Sequence, residues 1–157
     1  DRFHLADKAL IFGDAAHAIV PFFGQGMNAS FQDCTVIDSL IKRYNGSWNN
    51  VFSEFSNIHV PNGHAIANMA LENYIEMRDY VNDPIFKKRR EIEFELEKKF
   101  SNRFIPRYSM VSFHDLPYSK VYERGETQLR LIEGYLSKRL SKDQLYDSII
   151  SDLRPIE

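Results

Sequence analysis

The run Gly13-Asp14-Ala15-Ala16-His17, followed by Pro21-Phe22-Phe23-Gly24-Gln25-Gly26-Met27-Asn28, holds the residues best suited to chemistry. Asp14 stands where an apolar run stops, and a carboxylate there can accept hydrogen bonds from the hydroxyls of a polyol chain. Gly24 and Gly26 let backbone approach a flat ring closely and tolerate positive φ. A helix beginning near Met27 would turn unpaired N–H groups and its positive dipole end toward negative charge. Taken together these features suit a flavin, whose ribityl hydroxyls and reduced ring would use all three. Either fragment alone reads as a turn or a loop before a helix.

Those residues need elements to hold them. Lys8-Ala9-Leu10-Ile11-Phe12 is short and apolar and reads as a buried strand opening at Gly13. A lone strand leaves its ladder groups unpaired, so its sheet is expected to come from other sequence. Residues 27 to 44 lack Gly and Pro and predict a helix closed by Asn45-Gly46, after which Ser47 caps a second. Residues 64 to 81 predict a third. Asp83-Pro84 starts a fourth that runs to about Phe100, with Pro at the first helical position. Residues 102 to 117 read as the longest irregular segment, and two further helices are expected over 118 to 139 and 142 to 153.

On the helix 64 to 81, Ile66, Met69, Ala70, Asn73, Met77 and Tyr80 share one arc, opposite Asn68, Glu72, Glu76 and Asp79. Asn73 is thus a polar group on an apolar face. It must be hydrogen-bonded, either bracing neighbouring backbone or reading a ligand, and the helix pattern favours bracing.

Composition bounds the alternatives. The chain has 157 residues, 43% of them hydrophobic and 27% charged, which is the composition of a globular domain or part of one. A net charge of −2 offers no basic field for nucleic acid. The one cysteine, Cys34, excludes an internal disulfide or a thiolate cluster and reads as a small buried residue. No metal site is expected: His59 and His64, five apart, do not share a helix face. No stretch approaches the roughly 20 apolar residues of a spanning helix, and no signal peptide is present in these residues. Glu91, Glu93, Glu95 and Glu97 alternate with Ile92, Leu96 and Phe100 as in a solvated amphipathic helix.

GDAAH followed by P-x-x-G-Q-G-M-N at this spacing resembles the second FAD motif of the class A flavoprotein aromatic hydroxylases. Asn73-Tyr74-Ile75-Glu76-Met77-Arg78 and the segment Arg103-Phe104-Ile105-Pro106-Arg107-Tyr108-Ser109-Met110-Val111 are similar to the branch of that family acting on kynurenine. The likeness runs from about Lys8 to Tyr122. It implies an α/β FAD-dependent aromatic-hydroxylase fold as a whole, of which this fragment is mainly α, with one N-terminal strand completing a sheet supplied by missing sequence. Residues 1–45 would be the later part of the FAD-binding domain and 46–157 a helical region contributing to the substrate pocket.

The implied activity is hydroxylation of L-kynurenine to 3-hydroxykynurenine with FAD, NADPH and O2, by way of a flavin C4a-hydroperoxide. Asp14, Pro21, Gly24, Gln25, Gly26, Met27 and Asn28 would meet FAD. Asn73 and Tyr108 would hold the substrate's amino-acid end, Met77 would line the pocket, and Pro21, Phe22, Phe23 and Gln25 would wall substrate from flavin. A ring bearing an amino group is already activated, so no residue is assigned as acid or base, His17 included.

Ser30 and Gln32, where Gly and an acid are expected, and Arg107 beside Tyr108 depart from the pattern and affect the shape of the pocket. The G-x-G-x-x-G element for the FAD pyrophosphate, and an Arg for the substrate carboxylate, are expected from the N-terminal portion of the same enzyme. The fragment alone is therefore expected to be inactive. The resemblance also implies the cytosolic face of the mitochondrial outer membrane, with the anchor outside this chain. The rival expectations are another class A hydroxylase acting on a phenol-type ring, or a non-catalytic helical docking region.

Overall fold

The computed structural model describes residues 2–156 and is mainly helical. Two short strands open it: β1 (His4–Leu5) pairs antiparallel with β2 (Ala9–Leu10), with His4 opposite Leu10 and Leu5 opposite Ala9. The strand expected to find its sheet elsewhere thus has one edge paired within the chain. Ala6 at φ 48° and the bond from Lys8 N–H to the Leu5 carbonyl close the turn between them. Without a Gly or Asn at that turn, the sequence carries no hairpin marker.

Seven α-helices follow among the described residues: α1 (Asp14–His17), α2 (Gly26–Arg43), α3 (Trp48–Ile75), α4 (Pro84–Lys99), α5 (Arg107–Phe113), α6 (Tyr118–Leu136) and α7 (Lys142–Asp152). α2 ends as expected, with Asn45 at φ 49° and Gly46 at φ 77° in the left-handed region that terminates helices. Asp83 caps α4, its side chain accepting from the Ile85 and Phe86 amides, and Pro84 takes the first turn. Ser141 and Gln144 form a reciprocal capping box at the start of α7.

Two expectations change. The second and third helices are one, because α3 continues through Pro61. An interior proline removes one backbone bond and crowds the preceding turn. Here Pro61 and the residue four before it, Asn57, are both exposed, so water can satisfy the freed carbonyl. The second change is α5, which forms within the segment expected to be irregular; it follows Pro106 and is anchored by Met110, which is 0% exposed.

The chain divides into two compact units, residues 1–74 and 75–157. In the first, α2, α3 and the hairpin enclose Phe3, Leu40, Val51 and Phe55. In the second, α4, α6 and α7 enclose Ile92, Leu96, Phe104, Leu131, Ile132, Leu145, Ile149 and Leu153. Ile92 and Leu96 point inward from the Glu-rich α4 and Phe100 packs beside them, as its four-residue spacing requires. Arg103 and Arg124 brace the end of the second unit, donating to the carbonyls of Ile150 and Leu153 and of Arg154.

Candidate functional site

The loop region of the first unit is built around two short helical turns. Gly13 adopts φ 59° and ψ −147°, a left-handed conformation that favours glycine, and leads into α1. Asp14, the first residue of α1, is exposed, while His17 at its other end is buried. Pro21–Phe23 then form a single 3-10 turn closed by Gly24 at φ 68°, whose amide donates to the Pro21 carbonyl over 3.3 Å. Pro fixes φ at the start of that turn, and Gly supplies its left-handed end.

α2 begins directly after Gln25, which makes no side-chain cap hydrogen bond to it. The first-turn amides therefore lack the usual side-chain acceptor. Gln25 is buried, and its side-chain carbonyl accepts from the Asn28 side-chain amide over 3.1 Å. A methyl group added at Gly24 or Gly26 would meet nothing within 4 Å, so the space against both backbones is open. Met27 is 68% exposed beside them. An exposed carboxylate, two open glycines and an uncapped helix start match the donor and acceptor needs of a flavin.

Phe22 and Phe23 separate. Phe23 is buried at 8% exposure, whereas Phe22 is 38% exposed and its ring lies 4.5 Å from that of Tyr74. Asn73, half-buried near the end of α3, donates from its side-chain amide to the Phe22 carbonyl. It braces the Pro-aromatic turn. Met77 and Tyr108 belong to the second unit, Met77 on a π-helical turn over Glu76–Tyr80 and Tyr108 at the second position of α5; both are exposed. π-turns occur disproportionately at functional sites. Arg107 turns away onto α6: it pairs with Glu126 over 2.8 Å, lies over the Tyr122 ring and runs across the backbone of Gly125. Ser30, another departure from the family pattern, donates to the Gly26 carbonyl over 3.0 Å.

A buried cluster that the sequence reading missed lies behind this loop. Asp33, 1% exposed on α2, places Oδ2 2.6 Å from His17 Nε2 and 2.7 Å from the Gly13 amide, which donates to it. Oδ1 lies 2.7 Å from His59 Nδ1 on α3, though not in line for a good hydrogen bond. His59 in turn stacks on Phe55 at 4.4 Å and 10°. The two imidazoles address the two oxygens of one carboxylate, and among the described residues no group of three or more His, Cys, Asp or Glu is placed to hold a metal ion. The position was readable in one respect: Asp33 falls on the inward stripe of α2 with Ala29 and Leu40. Cys34, the next residue, is rotated out and exposed, contrary to the buried position expected for it.

Burial pushes the Asp33 carboxyl up, but hydrogen bonding from His17 and the Gly13 amide, with the His59 imidazole close to the other oxygen, outweighs it and holds the group well below the usual carboxylate range. The bond to Asp33 raises His17 above its ordinary value, against the opposing effect of burial. The Asp33 contribution to stability is complete above an unfolded pKa of about 4 and is lost as pH falls through the lowered folded value. The His17 contribution is complete below an unfolded pKa of about 6.5 and is lost as pH rises through its raised folded value. Thermal midpoints should therefore fall, as pH rises above about 6.5, more steeply in the wild type than in His17→Gln. Parallel profiles would show that the pair does not charge.

Residues 2–50 match a family model described as an FAD binding domain. Curated relatives share more of the chain. It is 48% identical over 135 residues to a kynurenine 3-monooxygenase of Myxococcus xanthus, which covers 86% of this chain and 28% of the relative. To that of Stenotrophomonas maltophilia it is 45% identical over 145 residues, 92% of this chain and 32% of the relative. To that of Sus scrofa it is 42% identical over 134 residues, 85% and 28% respectively. The chain thus spans about a third or less of these proteins.

Proposed function

The chain is related over most of its length to the kynurenine 3-monooxygenases, and on that premise we propose that it is part of a flavoprotein monooxygenase converting L-kynurenine to 3-hydroxykynurenine with FAD, NADPH and O2. The observation that carries this reading is the character of residues 13 to 28. Within the segment matched to an FAD binding domain they combine an exposed Asp14, open backbone at Gly24 and Gly26, and an α2 start without a side-chain cap.

FAD, when bound, supplies the hydride acceptance and oxygen activation that amino acids cannot. The chain's residues orient, enclose and stabilise charge. Asp14 would accept hydrogen bonds from the ribityl hydroxyls. The amides at the start of α2, from Gly26 through Asn28, would stabilise negative charge on the N1–C2=O edge of the reduced ring. Pro21, Phe22, Phe23 and Gln25 would form the wall between ring and substrate, keeping water out and offering Phe22 to an aromatic ligand. Asn73 and Tyr108 would hold the substrate's amino-acid end and Met77 would line its pocket. The amino group of kynurenine activates its ring, so no general base is required of His17.

We place the FAD-facing residues in 1–45 and the substrate-facing helices in 46–157, with the G-x-G-x-x-G element on the enzyme's N-terminal portion. A mitochondrial outer-membrane location is part of the same proposal. Among the described residues no helix is long and apolar enough to cross a membrane.

The substrate assignment has a direct test in the full-length enzyme. Asn73→Ala and Tyr108→Phe should each raise KM for kynurenine by about fivefold or more, the worth of a hydrogen bond, while FAD content stays at the wild-type level. A KM unchanged in both variants would remove this region from the substrate site. Turnover of simple phenols in preference to kynurenine would move the enzyme to another branch of the hydroxylases.

A further inference from the structure

The flavin-facing Asp14 sits on an element that cannot hold its own shape. α1 has four residues, too few for a helix to persist by its own hydrogen bonds. The amides of Ala16 and His17 donate to the Gly13 carbonyl, over 2.9 and 3.0 Å. What fixes both ends of it is a residue nineteen positions later. One oxygen of Asp33 accepts from the Gly13 amide before the turn and lies 2.6 Å from the His17 imidazole after it.

We propose that Asp33 is a positioning residue for the flavin site: its carboxylate ties Gly13 to His17, and so fixes the direction in which Asp14 leaves the turn between them. The surroundings are built for this. Gly13 approaches α2 so closely that a Cβ would lie 3.3 Å from Ser30 Oγ, and its φ of 59° is the conformation the tie requires. Gly63 on α3 leaves room for His17, since a Cβ there would lie 3.1 Å from His17 Cβ. His59, stacked on Phe55, lies 2.7 Å from the other oxygen of Asp33 and limits the space in which the carboxylate can turn. Asp33 is buried behind the turn and Asp14 is exposed ahead of it, so Asp33 does not itself reach the exposed face that Asp14 presents.

The test measures FAD dissociation from the full-length enzyme, by flavin fluorescence, at a temperature well below its unfolding midpoint. Asp33→Asn, Asp14→Ala and the double variant form a cycle. Asp33→Asn should weaken FAD by about tenfold or more. The double variant should bind no more weakly than Asp14→Ala alone, because both changes act through Asp14. Additive effects overturn the proposal, as does an Asp33→Asn enzyme that binds FAD like the wild type.

The proposal rests on the flavin reading, and the cycle separates their failures. Wild-type FAD affinity in Asp14→Ala removes the flavin reading and the proposal with it; a loss in Asp14→Ala without one in Asp33→Asn removes the positioning role only. Should Asp33→Asn fail to fold, His17→Ala and His17→Gln make the same comparison. Ala should lower FAD affinity, and Gln, whose amide can donate to Oδ2, should restore most of it. Equal FAD binding by those two overturns the tie.

Discussion

Phe55→Ala lowers the unfolding free energy of the enzyme by about 3–5 kcal/mol, the range for truncating a buried aromatic and leaving a cavity. Phe55 is 0% exposed and lies in the core that α2, α3 and the hairpin share with Phe3, Leu40 and Val51. Its ring also carries the stacked imidazole of His59. Truncation therefore removes packing and frees the residue that faces Asp33, so the loss should reach the upper part of that range. Phe55→Leu keeps most of the volume and should cost less, about 1.5 kcal/mol. Phe113, 78% exposed on α5, is the control: its replacement by Ala should stay within about 0.5 kcal/mol. Denaturant midpoints at unchanged m-value give all three. Equal costs for Phe55→Ala and Phe113→Ala would mean that the core of the first unit is not where the structure puts it.

Asp14→Ala should be nearly silent in stability and severe in cofactor binding. The side chain is exposed, so folding loses little when it is removed. Hydrogen bonds to a charged group carry more than neutral ones, and their loss should weaken FAD by about 10- to 100-fold. Asp14→Asn, which keeps an acceptor without the charge, should fall between. Equilibrium titration of the apoenzyme with FAD measures the series. An affinity that tracks thermal stability across it, rather than acceptor strength, would reassign Asp14 from the flavin to the fold.

Much of this was legible from local chemistry. Helix ends are legible where short polar residues mark them, at Asn45-Gly46 and Asp83-Pro84. The amphipathic face of α4 was readable through its run of glutamates because apolar residues recur every turn. Tertiary compensation was not. Two helices were expected where α3 is one, and it passes through Pro61 where solvent can satisfy the orphaned carbonyl. α5 is held by the burial of Met110, which no propensity registers. The turn after β1 has no Gly or Asn to announce a hairpin.

The site divides in the same way. Gly13, Asp14, Gly24 and Gly26 are legible because their roles are backbone roles that few residues can play. Asn73 was read as either a brace or a ligand, and the structure gives it a brace, the Phe22 carbonyl. Asp33 and His59 escaped because a buried charge has meaning only beside its partners, and those stand 16, 20 and 26 residues away. A charged residue on the apolar stripe of α2 was the one available sign.

The most direct test incubates the full-length enzyme with NADPH, O2 and L-kynurenine and counts 3-hydroxykynurenine formed for each NADPH oxidised. Close to one product per NADPH is predicted, with Phe22→Ala lowering that ratio as the wall beside the ring opens to water. NADPH oxidation that proceeds without any hydroxylated kynurenine, or that kynurenine does not accelerate, would contradict the account.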